Sequence, residues 1–258
     1  SYTDYIQLSK SLGDKHAKRM VSSEHLILDY LSRRVAAEVV LYSSLRARGG
    51  ETRTFDDIVL GVTTLGDIGD ASVINKDGNE RNSDDYLIQR GDLIISWQGN
   101  AYVLRKGETN LPPEVQRIWE HALITRNIFR KNITAGATGA EQLEILIEKL
   151  EEAGYVYIDK DQYDKTADPE KTQVHIDFHA MGRIISQEEA PRISPSGWGR
   201  DLKIPLYHTF TFEYMIHMPV PELGKGKHLY ICIHDGVIVT ERGVEFPAAP
   251  IQGIRIIR

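Results

Sequence analysis

The stretch VHIDFHAMG, from Val174 to Gly182, marks a change in the hydrophobic pattern of the chain. In it three apolar residues alternate with three polar ones: Val174, Ile176 and Phe178 with His175, Asp177 and His179. A period of two predicts a β-strand with one buried face. On a strand, residues four apart are separated by roughly 13 Å. His175 and His179 are therefore not expected to bind one metal ion together unless the strand bends between them.

Alternating patterns continue after this stretch, whereas helical patterns dominate before it. YHTFTFEYMIHMPV, HLYICIHDGVIVT and IQGIRII are typical of strands. Upstream, LPPEVQRIWEHALITRNIFRK has two prolines, Pro112 and Pro113, where a first helical turn tolerates them. TGAEQLEILIEKLEEAGY begins with a Thr138–Glu141 capping box and stops at Gly154. Helices followed by strands predict an α+β domain with helices packed on an antiparallel sheet.

Three weaker patterns complete the secondary-structure prediction. SSEHLILDYLS, from Ser22 to Ser32, and the segment from Ala36 to Arg48 are predicted as helices. The Gly/Asp-rich segment from Leu65 to Asp85 is predicted as turns. In GDLIISWQG, Gly91 to Gly99, a turn precedes a short apolar strand.

The composition limits the class of partner. The net charge is −6 and the chain has no Lys/Arg cluster, which argues against nucleic-acid binding. Cys232 is the single cysteine, so no intrachain disulfide can form. No apolar run approaches the ~20 residues that span a bilayer, and the first ten residues lack the apolar core of a signal peptide. We expect a soluble, cytoplasmic protein that binds neither nucleic acid nor membrane.

Five blocks occur in the order found in the pita-bread superfamily, which comprises methionine aminopeptidases, prolidases, Xaa-Pro aminopeptidases and creatinase. They are LIQRGDLIISWQG, NITAGATGAEQLEILIEKLEEAGY, HIDFHAMG, YHTFTFEYMIHM and CIHDGVIVTERGVE. The chain resembles this superfamily from about Ala36 onward. The resemblance implies a pita-bread domain over residues 36–258, a curved antiparallel sheet covered by helices. Residues 1–35 would then be a linker or the remnant of an N-terminal domain.

The resemblance also implies a metal site that has changed. Active superfamily peptidases bind two divalent ions through two Asp, one His and two Glu. His179 and Glu213 match the His and the first Glu. Ser96 stands in the first Asp position, a short deletion after Gly99 removes the second Asp, and His234 replaces the last Glu. Two divalent ions facing a single carboxylate would repel each other strongly, so a dinuclear hydrolase is not expected.

The residues that remain suit one ion. Two histidines and a carboxylate, His179, His234 and Glu213, are a ligand set for Fe or Zn, with Mn as a further candidate. His175 is predicted as the proton-transfer group because an imidazole titrates near neutrality, and Glu213 as a second catalytic group. Four residues are predicted to contact substrate: Ser96, Trp97, His208 and Tyr230. The expected protein is a divergent Xaa-Pro-aminopeptidase-like enzyme, a homodimer, acting on a small amino-acid-derived substrate or short peptide.

Three alternatives stay open. The first is a metal-free, creatinase-like hydrolase or lyase that uses His175 or His179 with Glu213. The second is a noncatalytic protein-binding domain, because some superfamily members have lost their metal. The third is an ordinary metal-dependent aminopeptidase.

Overall fold

The structure is a computed structural model that describes residues 2–23, 26, 30, 35, 37–41, 55–181 and 190–258. The helices predicted over Ser22–Ser32 and Ala36–Arg48 lie largely outside the described residues. Within the described ranges, no helix is long and apolar enough to cross a bilayer.

The chain has the predicted α+β organisation. In chain order its helices are α1 (Tyr2–Ala17), α2 (Leu65–Ile68), α3 (Pro113–Asn132) and α4 (Gly139–Glu152), and two 3-10 turns lie at Trp198–Asp201 and Pro221–Leu223. Its strands are β1 (Ala71–Ile74), β2 (Glu80–Arg81), β3 (Leu93–Ser96), β4 (Gly99–Val103), β5 (Val156–Tyr157), β6 (Gln173–Ile176), β7 (His179–Ala180), β8 (Thr209–Pro219), β9 (His228–Thr240), β10 (Gly243–Glu245) and β11 (Arg255–Ile257).

The strands form two sheets. One has the order β11-β4-β3-β1-β2, and the other has the order β10-β9-β8-β6-β5 with β7 paired to β8. Most pairs are antiparallel, but β11 runs parallel to β4 and β5 runs parallel to β6. The long pair β8–β9 is the backbone of the second sheet, with Thr209 opposite Ile238 and Pro219 opposite His228.

The alternation in β8 divides the second sheet into an apolar face and a polar face. Phe212 and Tyr214 are fully buried, and Phe129 of α3 lies edge-on to both rings. The Tyr214 hydroxyl donates to the carbonyl of Ala122 in the same helix. Glu213 lies between these two aromatics and points to the opposite face, because successive side chains on a strand alternate. Helix α3 thus covers one face and leaves the other for polar groups.

The two main helices begin as the sequence predicts. Pro112 is the N-cap of α3, with Pro113 in its first turn. Thr138 and Glu141 form the capping box of α4, with both reciprocal hydrogen bonds present. Helix α1, in contrast, buries none of its residues. The predicted domain division at residues 35 and 36 stays a prediction.

The segment predicted as turns between Leu65 and Asp85 is the main error of the secondary-structure prediction. It contains α2, β1 and β2. A capping box between Thr64 and Asp67 starts α2 inside a run that the Gly and Asp content marks as irregular. Four of the five strands of the first sheet, β1 to β4, precede α3 in the chain, so strands come before as well as after the two main helices. Short elements of two to four residues carry too little periodicity to be found from sequence.

Candidate functional site

Three side chains from neighbouring strands converge on the polar face of the second sheet. They are His179 on β7, Glu213 on β8 and His234 on β9, and one ligand atom from each lies within 4.8 Å of the others. The Oε2 atom of Glu213 lies 3.0 Å from Nε2 of His179 and 3.5 Å from Nε2 of His234. Within the described ranges, this is the one group of three or more His, Cys, Asp or Glu residues with such spacing.

The sheet register explains the convergence. Glu213 and His234 are direct partners across β8 and β9, while His179 is the partner of Thr211 on β8. Side chains two residues apart on one strand lie on the same face, so Thr211 and Glu213 share a face. This places His179 beside Glu213.

The sequence predicted one continuous strand from Val174 to His179, and its continuity is the part of this prediction that is wrong. The structure has two short strands, β6 and β7, interrupted at Asp177 and Phe178. Phe178 leaves the ladder and exchanges two backbone hydrogen bonds with Ile193, of 2.8 and 2.9 Å. Even with this interruption, His175 is not part of the three-residue group, so the predicted separation of the two histidines holds.

The electrostatics of the cluster favour an ionised carboxylate. Burial alone would raise the pKa of Glu213, but the hydrogen bonds and charges of His179 and His234 outweigh it and lower the pKa to about 2. The side chain of His179 is 8% exposed, against 24% for His234 and 30% for Glu213. A carboxylate held ionised between two imidazoles fits a divalent cation chemically.

The backbone orients His179 for such a role. Its Nδ1 lies 3.4 Å from the carbonyl oxygen of Ala180. An N–H donated to this carbonyl leaves Nε2 as the nitrogen that faces Glu213. Metal-binding histidines are commonly oriented by a carbonyl or carboxylate on their other ring nitrogen.

His175 is fixed in a different way. Its Nδ1 lies 3.1 Å from the carbonyl oxygen of Ile158, so this nitrogen is assigned the proton. Its Nε2 has no hydrogen-bond partner among the described residues and is left with a free lone pair. The side chain is 8% exposed and lines a cavity of about 300 Å³ that Glu213 also lines. His175 is thus adjacent to the cluster without belonging to it, and its role in proton transfer stays a prediction.

The turn between β3 and β4 brings Trp97 next to His234 of the cluster. Ser96 pairs with Gly99, so only Trp97 and Gln98 lie between the strands. The Ser96 hydroxyl accepts a hydrogen bond from the backbone N–H of Gln98 within the turn. The Trp97 ring is 50% exposed and lies edge-on to His234, with ring centroids 6.2 Å apart. Neither of the two turn residues, Trp97 and Gln98, carries a carboxylate.

The other two predicted substrate contacts lie elsewhere. His208 is fully buried, with Nε2 3.1 Å from the carbonyl oxygen of Pro191 and its ring edge-on to Phe210. Tyr230 is 8% exposed, and its hydroxyl interacts with the hydroxyl of Ser72 and donates to Glu80. Both assignments stay predictions, and the burial of His208 is the feature that suits contact with a substrate least.

Two polar residues that hold the site in place were missed by sequence reasoning. The side-chain amide of Asn100 on β4 donates to the carbonyl of Cys232 and accepts from its N–H, over 2.7 and 3.3 Å. This link joins the two sheets two residues before His234. Because the partners are 132 residues apart in sequence, no local signal reveals it.

Asp235 is the second. It lies within β9 and is buried. It pairs with Arg126 of α3 over 2.9 Å and accepts the backbone N–H of Ile251 over 2.8 Å. This ion pair attaches β9 to α3 at the residue that directly follows His234.

Comparisons with known proteins identify the fold. No family model and no curated protein matches the chain. Among solved structures, the X-Pro aminopeptidase from Thermotoga maritima aligns with a TM-score of 0.52 at 19% identity, covering 93% of this chain and 65% of that protein. The prolidase from Pyrococcus furiosus gives 0.52 at 19% identity, covering 88% and 68%. The prolidase from Pyrococcus horikoshii gives 0.55 at 14% identity, covering 95% and 78%.

These likenesses show that the chain has the pita-bread fold of prolidases and Xaa-Pro aminopeptidases, as the sequence resemblance implied. The chain spans just under two thirds of the length of the Thermotoga protein. Identities below 20% establish the fold and leave the chemistry to the site itself.

Proposed function

We propose that this protein is a divergent metalloenzyme of the aminopeptidase and prolidase type that uses a single divalent ion. The ion would be Fe, Mn or Zn, held by His179, Glu213 and His234. The observation that carries the proposal is the approach of three ligand atoms to within 4.8 Å of one another on three adjacent strands. The substrate class is a small amino-acid derivative or short peptide.

The donor set supports one ion rather than two. The cluster offers one carboxylate and two imidazoles, and Ser96, Trp97 and Gln98 supply no further carboxylate from the β3–β4 turn. Two divalent ions bound here would repel each other with one negative charge between them. A two-histidine, one-carboxylate set leaves coordination positions open, as in catalytic Zn sites and non-haem Fe(II) sites. When bound, such an ion polarises a carbonyl or lowers the pKa of a water molecule.

The remaining residues have roles that follow from their geometry. His175 lines the cavity, and the hydrogen bond from its Nδ1 to the carbonyl of Ile158 leaves Nε2 as the nitrogen without a proton. His175 can therefore accept a proton from a group bound in the cavity. Trp97 shields one side of His234 with an aromatic ring.

The test is metal analysis of protein purified in metal-free buffer. Samples of the wild type, His179→Ala, Glu213→Gln and His234→Gln are loaded anaerobically with Fe(II), Mn(II) or Zn(II), desalted, and measured by inductively coupled plasma mass spectrometry. We expect about one equivalent of one metal in the wild type. Each ligand variant should retain less than about a tenth of that amount, because two ligands bind weakly.

His228→Gln is the matched control. His228 is also a partly buried histidine on β9, but it stacks on Tyr163 and lies outside the cluster. It should keep the wild-type metal content. A wild type that binds none of the three metals, or equal binding by His234→Gln, contradicts the proposal.

A further inference from the structure

A second cavity, at one end of the first sheet, is lined by several basic side chains. Its volume is about 560 Å³, within the usual range for small-molecule sites. The basic residues among the described residues that line it are Arg90, Arg105, Lys106 and Arg258, and the one acidic residue is Glu108. The whole chain has 37 acidic residues against 31 Lys and Arg, so this basic cavity reverses the balance of charge locally.

The sheet topology brings these basic residues together from distant parts of the chain. Strands β4 and β11 run parallel, so both end on the same side of the sheet. Arg105 and Lys106 follow β4, and Arg258 follows β11. Arg90 lies just before β3, and because β3 is antiparallel to β4 it lies at the same end. The cluster therefore has no counterpart in any short stretch of sequence.

Two of the arginines pack against each other's turns. Nη1 of Arg90 donates to the carbonyl of Leu104, the residue before Arg105, over 2.9 Å. Nε of Arg105 lies 3.1 Å from the position that a Cβ on Gly91, the residue after Arg90, would occupy. Gly91 has a φ of +90°, and its lack of a side chain admits Arg105 this closely. Each arginine is thus fixed on the turn that carries the other.

Little negative charge in the described ranges offsets these arginines. Oε1 of Glu108 lies 3.8 Å from Nη1 of Arg105. Its Oε2 already accepts the backbone N–H of Arg105 over 2.7 Å and the hydroxyl of Tyr102 over 3.2 Å. The other three basic residues form no ion pair with a described residue. Like charges held together repel, and an anion bound among them relieves the repulsion.

The arrangement suits a compact phosphate group. A guanidinium presents paired N–H donors that match phosphate oxygens, and a lysine adds a mobile point charge. Four cations against one carboxylate leave an excess that a group with two or more negative charges balances. The excess does not extend further past Gly91, because Lys76, which also packs there, is paired with Asp77 over 2.8 Å. A small anion therefore fits better than a long polyanion.

We infer that the basic cavity binds a small phosphorylated molecule through Arg90 and Arg105. Lys106 and Arg258 add to the electrostatic attraction. The basic cavity shares no lining residue with the cavity that His175 lines. The inference goes beyond the proposed function and requires neither a bound metal nor a reaction.

The test is isothermal titration calorimetry with inorganic pyrophosphate and inorganic phosphate. The whole chain is stripped of metal with a chelator and desalted, so that pyrophosphate cannot coordinate an ion elsewhere. In about 20 mM KCl the wild type should bind pyrophosphate at least about tenfold more tightly than phosphate, because the larger anion meets more of the cations. Raising KCl to about 500 mM should weaken binding at least about tenfold, as for other charges near the surface.

Three variants locate the ligand. Arg90→Gln and Arg105→Gln should each weaken pyrophosphate binding at least about tenfold, since each removes a donor of charge-assisted hydrogen bonds. Lys106→Glu reverses the charge of an exposed turn residue, so it should fold normally and weaken binding at least as much. Thermal unfolding of each variant checks the fold.

Two control variants remove cations elsewhere. Arg117→Gln removes a surface arginine that is paired with Glu222. Lys160→Gln removes the exposed lysine of the cavity that His175 lines. Both should bind pyrophosphate as the wild type does.

The outcomes are distinct. A wild type that binds no pyrophosphate, wild-type affinity in Lys106→Glu, or an equal loss in Lys160→Gln overturns the inference. A uridine decanucleotide that binds more tightly than pyrophosphate, with the same dependence on Arg90 and Arg105, overturns the assignment of a small ligand. Pyrophosphate binding that depends on these two arginines supports the inference even where metal analysis rejects the proposed metal site.

Discussion

Glu213 and His234 face each other as register partners on β8 and β9, and both reach the ring of His179 on the adjacent β7. All three side chains are thus attached to hydrogen-bonded strands rather than to loops. Ligands on such strands need little reorganisation to bind an ion. An ion held by these strands would bind the folded state and should therefore increase the stability of the protein.

Metal binding should raise the melting temperature of the wild type. An ion present at 100 times its dissociation constant stabilises the folded state by about 2.7 kcal/mol. For a domain of this size that corresponds to a rise of roughly 5–10 °C. Glu213→Gln should show almost no rise, because it replaces the one anionic ligand. Differential scanning calorimetry with and without metal measures the effect, and His228→Gln should respond as the wild type does.

The stability of the protein should fall in mild acid through its buried histidines. The pKa of His217 is lowered to about 4, chiefly by burial; the hydrogen bond to the Asp161 carbonyl opposes this, and the nearby His228 and His175 add to the lowering. Because the unfolded state takes up this proton near pH 6.5, the stabilisation is complete above that pH and is lost as the pH falls towards about 4. For this one histidine, the free energy of unfolding falls by about 1.4 kcal/mol for each pH unit in this range.

His217→Gln should flatten this pH dependence. The variant removes a side chain that takes up a proton at a higher pH in the unfolded state than in the folded state. The glutamine amide can still donate to the carbonyl of Asp161. Urea unfolding at several pH values between 4.5 and 7 measures the slope. His16→Gln, on the exposed helix α1, should keep the wild-type slope. An unchanged slope in His217→Gln would show that His217 is protonated in the folded protein.

Breaking the buried ion pair between Arg126 and Asp235 should be costly. Their side chains are 9% and 2% exposed. Arg126→Met leaves the Asp235 carboxylate buried without its cation, which should cost about 3–5 kcal/mol. Replacing both, as Arg126→Met with Asp235→Leu, should cost much less than the sum of the single changes. A double-mutant cycle by denaturant unfolding measures the coupling, and additive effects would contradict the assignment.

A methyl group at Gly139 should disturb the cavity wall. The new Cβ would lie 1.7 Å from the carbonyl oxygen of Arg192, so the backbone must move. We expect the free energy of unfolding of Gly139→Ala to fall by about 1–3 kcal/mol. Gly253→Ala is the matched control, since nothing lies within 4 Å of its Cβ position. Equal free energies of unfolding for Gly139→Ala and Gly253→Ala, measured by urea denaturation, would contradict this prediction.

Much of the site could be predicted from the sequence because its residues belong to strong local patterns. The alternation in β8 puts Glu213 on the other face of the sheet from the buried Phe212 and Tyr214. The alternation in β9 likewise puts His234 on the other face from the buried Ile233. The capping box at Thr138 fixes the start of α4. The resemblance in block order then indicated that His179, Glu213 and His234 form one site, and in the structure their ligand atoms lie within 4.8 Å of one another. Their role as ligands stays a prediction.

Other features depend on contacts between residues that are far apart in the chain. The interruption at Asp177 and Phe178, the pairing of Arg192 with Asp177 and the link from Asn100 to Cys232 have no periodic signal. Each arises where a side chain or a backbone group finds its partner only after the sheets have assembled.

Local patterns in the chain are enough to specify the α+β class, the main helices and the polar face that carries His179, Glu213 and His234. Hydrophobic periodicity and capping are local, so they can be read from neighbouring residues. Three features emerge only from packing in three dimensions: Trp97 lies edge-on to His234, His208 is enclosed in the core, and Arg192 lines the cavity. Those outcomes depend on the register between distant strands and on the space that packing leaves, which no short stretch of sequence specifies.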